Sequence, residues 1–203
     1  MKRAILFPIL FSFIFLANAQ EKEYQYIFQK SPEYGLKWDF FGGLTFSHLQ
    51  VKTNTMPGIE TGFMLNNNFL LGVYGSGTVG NFAQQYGDDY HHVMFGEGGF
   101  MAGYIANTNK TMHFGGTFKL GYVSLVADDK EMKLFNDVDP IAEDNGTVYH
   151  PELFCELNIT PFMRVKLGAG YSFYLLEDES VVCNNTIDSW TMNLGIVFGN
   201  FSK

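Results

Sequence analysis

The sequence predicts an all-β fold, an eight-stranded antiparallel up-and-down transmembrane β-barrel. Polar and apolar residues alternate through eight strand-length segments, a period that fits strands and not helices. The connections are short at one end of the predicted sheet and mostly long at the other, as in outer-membrane barrels. No apolar run of about 18 residues follows the N-terminal leader, so a membrane-embedded chain would have to close its strands into a barrel to satisfy its backbone groups.

The leader has the three parts of a signal peptide. Lys2 and Arg3 supply positive charge, residues 5–16 form a short apolar run, and Ala17-Asn18-Ala19 is a small-residue cleavage site. The predicted organisation is therefore a signal peptide at 1–19, a periplasmic N-terminal segment at 20–36, and an outer-membrane β-barrel domain at 37–203.

Composition narrows the class of protein. Charged residues make up 17% of the chain, below the quarter that is usual in soluble domains, while Gly and Phe number 22 and 21. The formal net charge of −8 argues against nucleic-acid binding, which needs a basic surface.

The first four predicted strands cover residues 37–51, 56–65, 69–79 and 92–106. In the first, Trp38, Phe40 and Leu44 share one face. Asn66-Asn67-Asn68 ends the second, because asparagine tolerates the left-handed backbone of a tight turn. The facing of the fourth strand stays open, since glycine and apolar residues occupy both of its faces.

The last four predicted strands cover residues 111–127, 148–159, 162–176 and 189–201. The seventh has the clearest alternation, with Val165, Leu167 and Ala169 on one face and Arg164 and Lys166 on the other. The long connections after the third, fifth and seventh strands are acidic and are predicted to be extracellular loops that carry most of the net negative charge.

Alternation alone does not decide which face meets lipid, because a soluble ligand-binding barrel has the opposite sense, apolar inside. The apolar face is dense in Phe, Leu and Trp, while the other mixes small residues with a few charges of both signs. We therefore expect the apolar face outside. The inward charges would then pair in an interior network of Asp39, Glu60, Glu97, Lys119, Glu152, Glu156, Arg164 and Lys166, with His113 nearby.

The final strand resembles the assembly signal of small outer-membrane barrels, with Asn193, Gly195 and Phe198 matching and Asn200 departing from the usual terminal aromatic residue. Over residues 37–203 the chain resembles the OmpA/OmpX-like eight-stranded family, especially its form in Bacteroidetes. That resemblance implies location in the outer membrane, insertion by the barrel assembly machinery, and a role anywhere from structural protein to adhesin or lipid-modifying enzyme.

Few residues suggest chemistry. His113 with Ser124, or His150 with Glu152, could be proposed as catalytic pairs, but no nucleophile motif accompanies them, so no catalytic residue and no cofactor is predicted. In the third outer loop, Asp137, Asp139, Glu143 and Asp144 are candidate Ca²⁺ ligands, without the spacing of a known calcium loop.

A second polar cluster, Asp88, Asp89, His91 and His92, lies around the second outer loop. For both clusters a hydrated loop surface is the simpler interpretation. A metal site at the second would need two adjacent histidines, whose side chains point to opposite faces of a strand.

The sequence thus predicts a non-enzymatic outer-membrane barrel with a packed interior, a structural or surface-interaction role and acidic extracellular loops. Its expected partners are outer-membrane lipids and lipopolysaccharide, the assembly machinery, and an extracellular molecule bound through the loops. Two alternatives stay open at this point: a lipid-modifying enzyme of the outer membrane, and a soluble secreted barrel that binds an apolar ligand.

Overall fold

A computed structural model of the chain describes residues 37–49, 54–78, 82–86, 89–128, 142–177 and 187–201. The predicted signal peptide and the segment 20–36 lie outside the described residues. The described part contains no helix long and apolar enough to cross a bilayer. Its strands are β1 (Trp38–Leu49), β2 (Asn54–Leu65), β3 (Phe69–Gly77), β4 (Phe82–Tyr86), β5 (Asp89–Ala106), β6 (Met112–Asp128), β7 (Ala142–Thr160), β8 (Met163–Leu176) and β9 (Ser189–Gly199).

The strands form a closed, all-antiparallel up-and-down barrel of eight strand positions, as predicted. Apart from β3 and β4, which are not paired with each other, each strand pairs with its neighbour in sequence, β9 pairs with β1, and the ring is closed between β3 and β5. β3 and β4 occupy one strand position between them, because both pair with β5, at 96–104 and at 89–93 respectively. Directly after β3, the Thr78 N–H donates a hydrogen bond to the Phe95 carbonyl oxygen of β5.

The register fixes the dimensions of the barrel. Starting at Asp39 and moving from each residue to its paired residue on the next strand leads once around the ring to Leu49, a displacement of ten residues along β1. The residues passed on the way are Met64, Leu70, Gly103, Thr117, Glu152, Gly170 and Thr191. With a rise of about 3.3 Å and strands about 4.8 Å apart, this shear tilts the strands by about 40° and gives a radius of about 8 Å. Side chains can fill an interior of that width.

We name the two ends of the barrel by their connections. The turn end carries the short connections 66–68, 107–111 and 161–162 and the start of β1. The loop end carries 50–53, 87–88, 129–141 and 177–188. At the turn end, Asn66, Asn67 and Asn107 have positive φ angles of 52°, 61° and 57°, which confirms the turn predicted at the three asparagines.

Apolar side chains point outward and polar ones inward, so the predicted facing is confirmed. On β9, Trp190 and Met192 are 59% and 69% exposed, whereas the intervening Thr191 and the next residue, Asn193, are each 2% exposed. The same alternation continues on β8 and β6. The exposed apolar residues form an outer belt around the wall. A soluble ligand-binding barrel would have the opposite arrangement, with its polar side chains outside.

An apolar cluster occupies each end of the interior. The cluster at the turn end contains Phe41, Met64, Leu70, Tyr74, Met101, Ile105, Phe154 and Val197, with Phe201 packed against it. The cluster at the loop end contains Met56, Phe95, Val123, Leu125, Ala127, Val148, Tyr174, Leu176 and Ile187. Their burial closes both ends of the polar middle of the barrel.

Several predicted strand bounds were wrong, and all the larger errors are at the loop end. The predicted loop between the third and fourth strands contains β4 and the start of β5, which form a hairpin. β7 begins at Ala142 instead of 148, because β6 continues to Asp128 and supplies a pairing partner for each residue from 142. The sequence Asn145-Gly146 resembles a turn, but pairing with β6 overrides that local preference.

The structure also resolves the facing of β5 and the end of the last strand. On β5, Glu97 and Met101 face the interior of the barrel, while Phe100 and Tyr104 are exposed on its outer side. β9 ends at Gly199, and Phe201 then turns inward against the apolar cluster at the turn end.

Gly62 on β2 and Gly72 on β3 face each other, and a substitution at Gly62 tests how tightly this part of the wall is packed. A Cβ on Gly62 would overlap the Leu71 carbonyl oxygen and lie 2.5 Å from Gly72 Cα, so Gly62→Ala is expected to lower the free energy of unfolding by about 1–3 kcal/mol. On Gly75 the nearest atom to a Cβ would be the Glu97 carbonyl oxygen at 3.9 Å. Gly75→Ala is the matched control and is expected to leave stability unchanged or raise it by up to about 1 kcal/mol. Urea titration in lipid vesicles followed by tryptophan fluorescence measures both; equal losses would contradict this account.

Candidate functional site

Four charged side chains meet in the middle of the barrel and form the central ion cluster: Glu60, Lys119, Glu152 and Lys166. Lys119 Nζ lies 2.6 Å from Glu60 Oε1 and 3.3 Å from Glu152 Oε2. Lys166 Nζ lies 2.8 Å from Glu60 Oε2 and 3.7 Å from Glu152 Oε1. Two ammonium groups therefore alternate with two carboxylates, and the cluster has no net formal charge.

The cluster joins strands that are not neighbours. Glu60 lies on β2 and Lys166 on β8, 106 residues apart in sequence, yet both occupy inward positions and the narrow interior lets their long side chains meet. All four residues are at most 6% exposed. Buried charges at this depth are tolerated because each has partners of the opposite sign.

Small residues on β8 make room for the cluster. A Cβ on Gly168 would overlap the Glu152 carboxylate, which shows that this carboxylate lies across the backbone of the neighbouring strand. The ammonium groups of the lysines lie over aromatic rings, with Lys119 Nζ 5.3 Å from the Tyr74 ring centroid and Lys166 Nζ 5.2 Å from that of Phe154. The middle of the interior is thus filled by ions and the rings around them.

A second group of charges lies at the turn end. Glu156 Oε2 accepts hydrogen bonds from Arg164 Nη1 at 3.3 Å and from His113 Nε2 at 3.0 Å. The Cζ atom of the Arg164 guanidinium lies over the Phe201 ring, 3.8 Å from the ring centroid, a favourable cation–π arrangement. Phe201, two residues after the end of β9, therefore covers this group from the turn end.

The other two residues of the predicted network lie apart from both groups. Asp39 pairs with Lys37 across 3.4 Å. Glu97 accepts hydrogen bonds from Ser76 Oγ at 3.0 Å and Tyr174 Oη at 3.3 Å. The structure thus places the eight predicted residues in four separate groups along the interior.

A small cavity lies between the turn-end charges and the central ion cluster. Its volume is about 10 Å³, and its polar lining is Glu60, Glu156, Arg164 and Lys166. That volume holds about one water molecule. It offers no space for an organic substrate.

The two candidate catalytic pairs are arranged differently from what the sequence suggested. His113 is opposite Glu156, whereas Ser124 is eleven positions further along β6, opposite Asn145, so those two residues do not form a pair. His150 shares the interior face with Glu152, and its ring nitrogens contact the hydroxyls of Ser172 at 3.0 Å and Thr191 at 3.2 Å.

Sequence reasoning missed the two hydroxyl partners of His150. Their inward parity on β8 and β9 was the signal that could have found them. Ser172 is 1% exposed, so in this conformation no substrate from outside can contact it.

The candidate metal ligands do not come together in the described part of the chain. Asp137 and Asp139 lie outside the described residues. Glu143 and Asp144 are consecutive on β7, the first exposed and the second buried, so their side chains point to opposite faces. Among the described residues no three His, Cys, Asp or Glu side chains are grouped to hold a metal ion. In the second outer loop, Asp88 lies outside the described residues, and Asp89, His91 and His92 belong to β5.

Three solved structures share the fold of this chain. The N-terminal β-barrel domain of OprF from Pseudomonas aeruginosa is 10% identical, covers 81% of this chain and 99% of its own, and has a TM-score of 0.53. Neisserial surface protein A is 12% identical, covers 81% and 99%, and has a TM-score of 0.59. The outer membrane protein OprG from Pseudomonas aeruginosa is 12% identical, covers 80% and 94%, and has a TM-score of 0.50.

These structures are eight-stranded outer-membrane barrels of the OmpA/OmpX-like kind, and at such low identity the likeness is one of fold alone. No protein-family model and no curated protein sequence matches the chain. The narrower resemblance to the form found in Bacteroidetes stays a prediction.

Glu60 makes the two shortest contacts of the central ion cluster, 2.6 Å to Lys119 Nζ and 2.8 Å to Lys166 Nζ. Glu60→Gln removes the negative charge and leaves Lys119 and Lys166 undercompensated, so it is expected to lower the free energy of unfolding by about 3–5 kcal/mol. Glu143→Gln makes the same chemical change at an exposed position of β7 and is expected to change stability by less than about 0.5 kcal/mol. Urea unfolding of both variants in lipid vesicles tests this, and similar effects of the two substitutions would contradict the structural importance of the cluster.

Proposed function

We propose that this chain is an outer-membrane β-barrel protein with a non-enzymatic structural or surface-interaction role and a closed interior. The observation that carries the proposal is the distribution of side chains in the closed barrel, apolar outside and charged inside. A soluble protein would present the opposite distribution to water, whereas a bilayer requires this one.

The height of the outer belt supports membrane insertion. On β6 the outward apolar residues extend from Met112 to Tyr122, ten positions along a strand tilted by about 40°, which corresponds to about 25 Å along the barrel axis. Outer-membrane barrels carry an apolar band of about 25 Å flanked by aromatic residues. Tyr122 and Trp190 toward the loop end and Trp38 and Tyr104 toward the turn end fit that pattern.

The filled interior supports a role without transport. Paired charges occupy the middle, apolar clusters occupy both ends, and the cavity beside Arg164 has space for about one water molecule. An ion crossing the barrel would have to displace both apolar clusters and separate the central ion cluster. A structural or contact role requires no such passage.

The arrangement of strands at the loop end is evidence for a role in contact with other molecules. β4 is the edge of the sheet, and the pairing of β7 with β8 starts only at Gly146, four residues after β7 begins. The β4–β5 hairpin, β6 and β7 therefore extend beyond the other strands as a raised wall at the loop end. One of the similar structures is by its name a surface protein, which agrees with such a role.

Export, insertion and orientation in the membrane are proposed from the sequence. Residues 1–19 would direct export, the barrel assembly machinery would insert the chain, and outer-membrane lipids would surround the belt. The turn end would face the periplasm, and the acidic outer segments would face the medium and contact an extracellular partner or lipopolysaccharide.

Fractionation combined with a denaturing gel tests membrane insertion. The protein is expected in the outer-membrane fraction, and the unboiled sample is expected to migrate faster than the boiled one, because a closed barrel resists unfolding by detergent at room temperature. Recovery in the soluble fraction with a single band under both conditions would contradict the proposal.

Conductance in planar lipid bilayers tests the closed interior separately. The purified full-length protein is expected to insert without producing discrete conductance steps, because the ion cluster and the apolar clusters leave no continuous aqueous path. Insertion shown by flotation of vesicles with bound protein serves as the control for delivery. Regular conductance steps would contradict the closed interior while leaving membrane insertion intact.

A further inference from the structure

Pro151 interrupts the pairing between two strands in the interior of the sheet. Proline has no N–H to donate, so it is normally confined to edge strands or bulges. In this barrel β7 has neighbours on both sides, β6 and β8. Pro151 is paired opposite Phe118 on the β6 side, and its carbonyl oxygen points to β8, since a Cβ on Gly170 would be 2.7 Å from it. In an antiparallel strand the N–H and C=O of one residue point the same way, so the missing donor affects the β8 side.

The β7–β8 register shows the gap directly. Tyr149 is paired with Phe173 and Glu152 with Gly170, but the two positions between them, His150–Pro151 opposite Tyr171–Ser172, are skipped. The register is the same on both sides of the gap, so no residue is inserted. We call this interruption the β7–β8 seam.

On the interior side the His150 side chain spans the seam. His150 reaches from β7 to Ser172 on β8, with 3.0 Å between Nδ1 and Oγ, and on to Thr191 on β9, with 3.2 Å between Nε2 and Oγ1. Gly170 lies beneath the imidazole, and a Cβ there would be 2.5 Å from Nε2. The ring therefore lies flat across β8 and connects three strands.

On the outer side the ring contacts of Tyr171 lie within β8 and between β8 and β9. The Tyr171 ring packs 4.6 Å from that of Phe173 on the same strand and 5.3 Å from that of Trp190 on β9. Pro151 is exposed on the other side of the seam. The outer face thus fixes β8 to β9, and on the interior face His150 contacts both β8 and β9 across the seam.

We propose that the β7–β8 seam at Pro151 is a built-in lateral opening point of the barrel wall, and that His150 is the latch that keeps it closed from within. When the imidazole leaves its two hydroxyl partners, this level of the wall loses the side-chain contacts that join β7 to β8 and β9 beside the hydrogen bond that Pro151 cannot donate. Local separation of the two strands then begins here rather than at another point on the wall. This proposal goes beyond the proposed function and does not depend on it, because the latch is a property of the closed barrel itself.

Amide hydrogen exchange on the full-length protein in detergent micelles, followed residue by residue by NMR, tests the seam. The amides of Tyr149, Tyr171 and Phe173 are expected to exchange at least about 10-fold faster than amides at the middle of the β6–β7 ladder, since local opening exposes them. Pro151→Ala supplies the missing N–H and is expected to slow these amides about 10-fold. Unchanged rates at the seam in Pro151→Ala would overturn the proposal.

His150→Ala tests the latch. It is expected to accelerate exchange at the same three amides about 10-fold and elsewhere by less than about twofold. Ser189→Ala, a buried interior hydroxyl on β9, is the matched control and is expected to leave the seam unchanged. An even acceleration over the whole barrel would show that His150 supports the fold generally and would refute the latch.

If His150→Ala does not fold, the partner variants replace it. Ser172→Ala and Thr191→Val each remove one of the two hydroxyl contacts and are expected to accelerate the seam amides by a smaller factor, about threefold, with no change in β1–β3. Wild-type rates at the seam in both variants would overturn the latch.

Discussion

Closure of the sheet is the constraint on which the rest of this structure depends. Because β3 pairs with β5 and β9 pairs with β1, every strand except the short β4 has a neighbour on each side, and these pairings fix its register. A shear of ten residues over eight strand positions then sets the tilt and an interior only about 8 Å in radius. That radius decides which side chains can meet, and it brings Glu60 on β2 within reach of Lys166 on β8.

The same narrow interior explains how charges can lie at its centre. Each carboxylate of the central ion cluster has two ammonium partners and each ammonium has two carboxylates, so the loss of solvent around each ion is offset by more than one contact. The apolar clusters at the two ends keep water from these contacts. The buried charges are therefore tolerated because they are paired, and their pairing is strengthened because the apolar clusters separate them from solvent.

Much of the fold follows from sequence because a strand has an unambiguous period. Alternation predicted the facing of β8 and β9, and it identified the inward side chains Lys119, Glu152 and Arg164. It could not predict their height in the barrel, which depends on the register of every strand between them. For that reason Asp39 and Glu97 were grouped with charges from which they are separate.

The errors at the loop end have a different origin. Residues 142–147 contain Asn-Gly and two acidic residues, which locally favour a turn, yet β6 extends far enough to pair with them. β4 was missed because a five-residue strand gives too short a pattern to detect. The contacts of His150 were also beyond sequence reasoning, because they require knowing that positions 150, 172 and 191 share one level of the wall.

The glycines of β8 have a consequence for how such a barrel could vary. Gly168 leaves space for the Glu152 carboxylate and Gly170 for the His150 imidazole, so each glycine and the large residue on β7 together fill one volume. Neither position of such a pair is free to change size alone. In evolution or in redesign, the quantity held constant is the summed volume of positions 152 and 168, or of 150 and 170, and a larger residue on β8 becomes acceptable only together with a smaller one on β7.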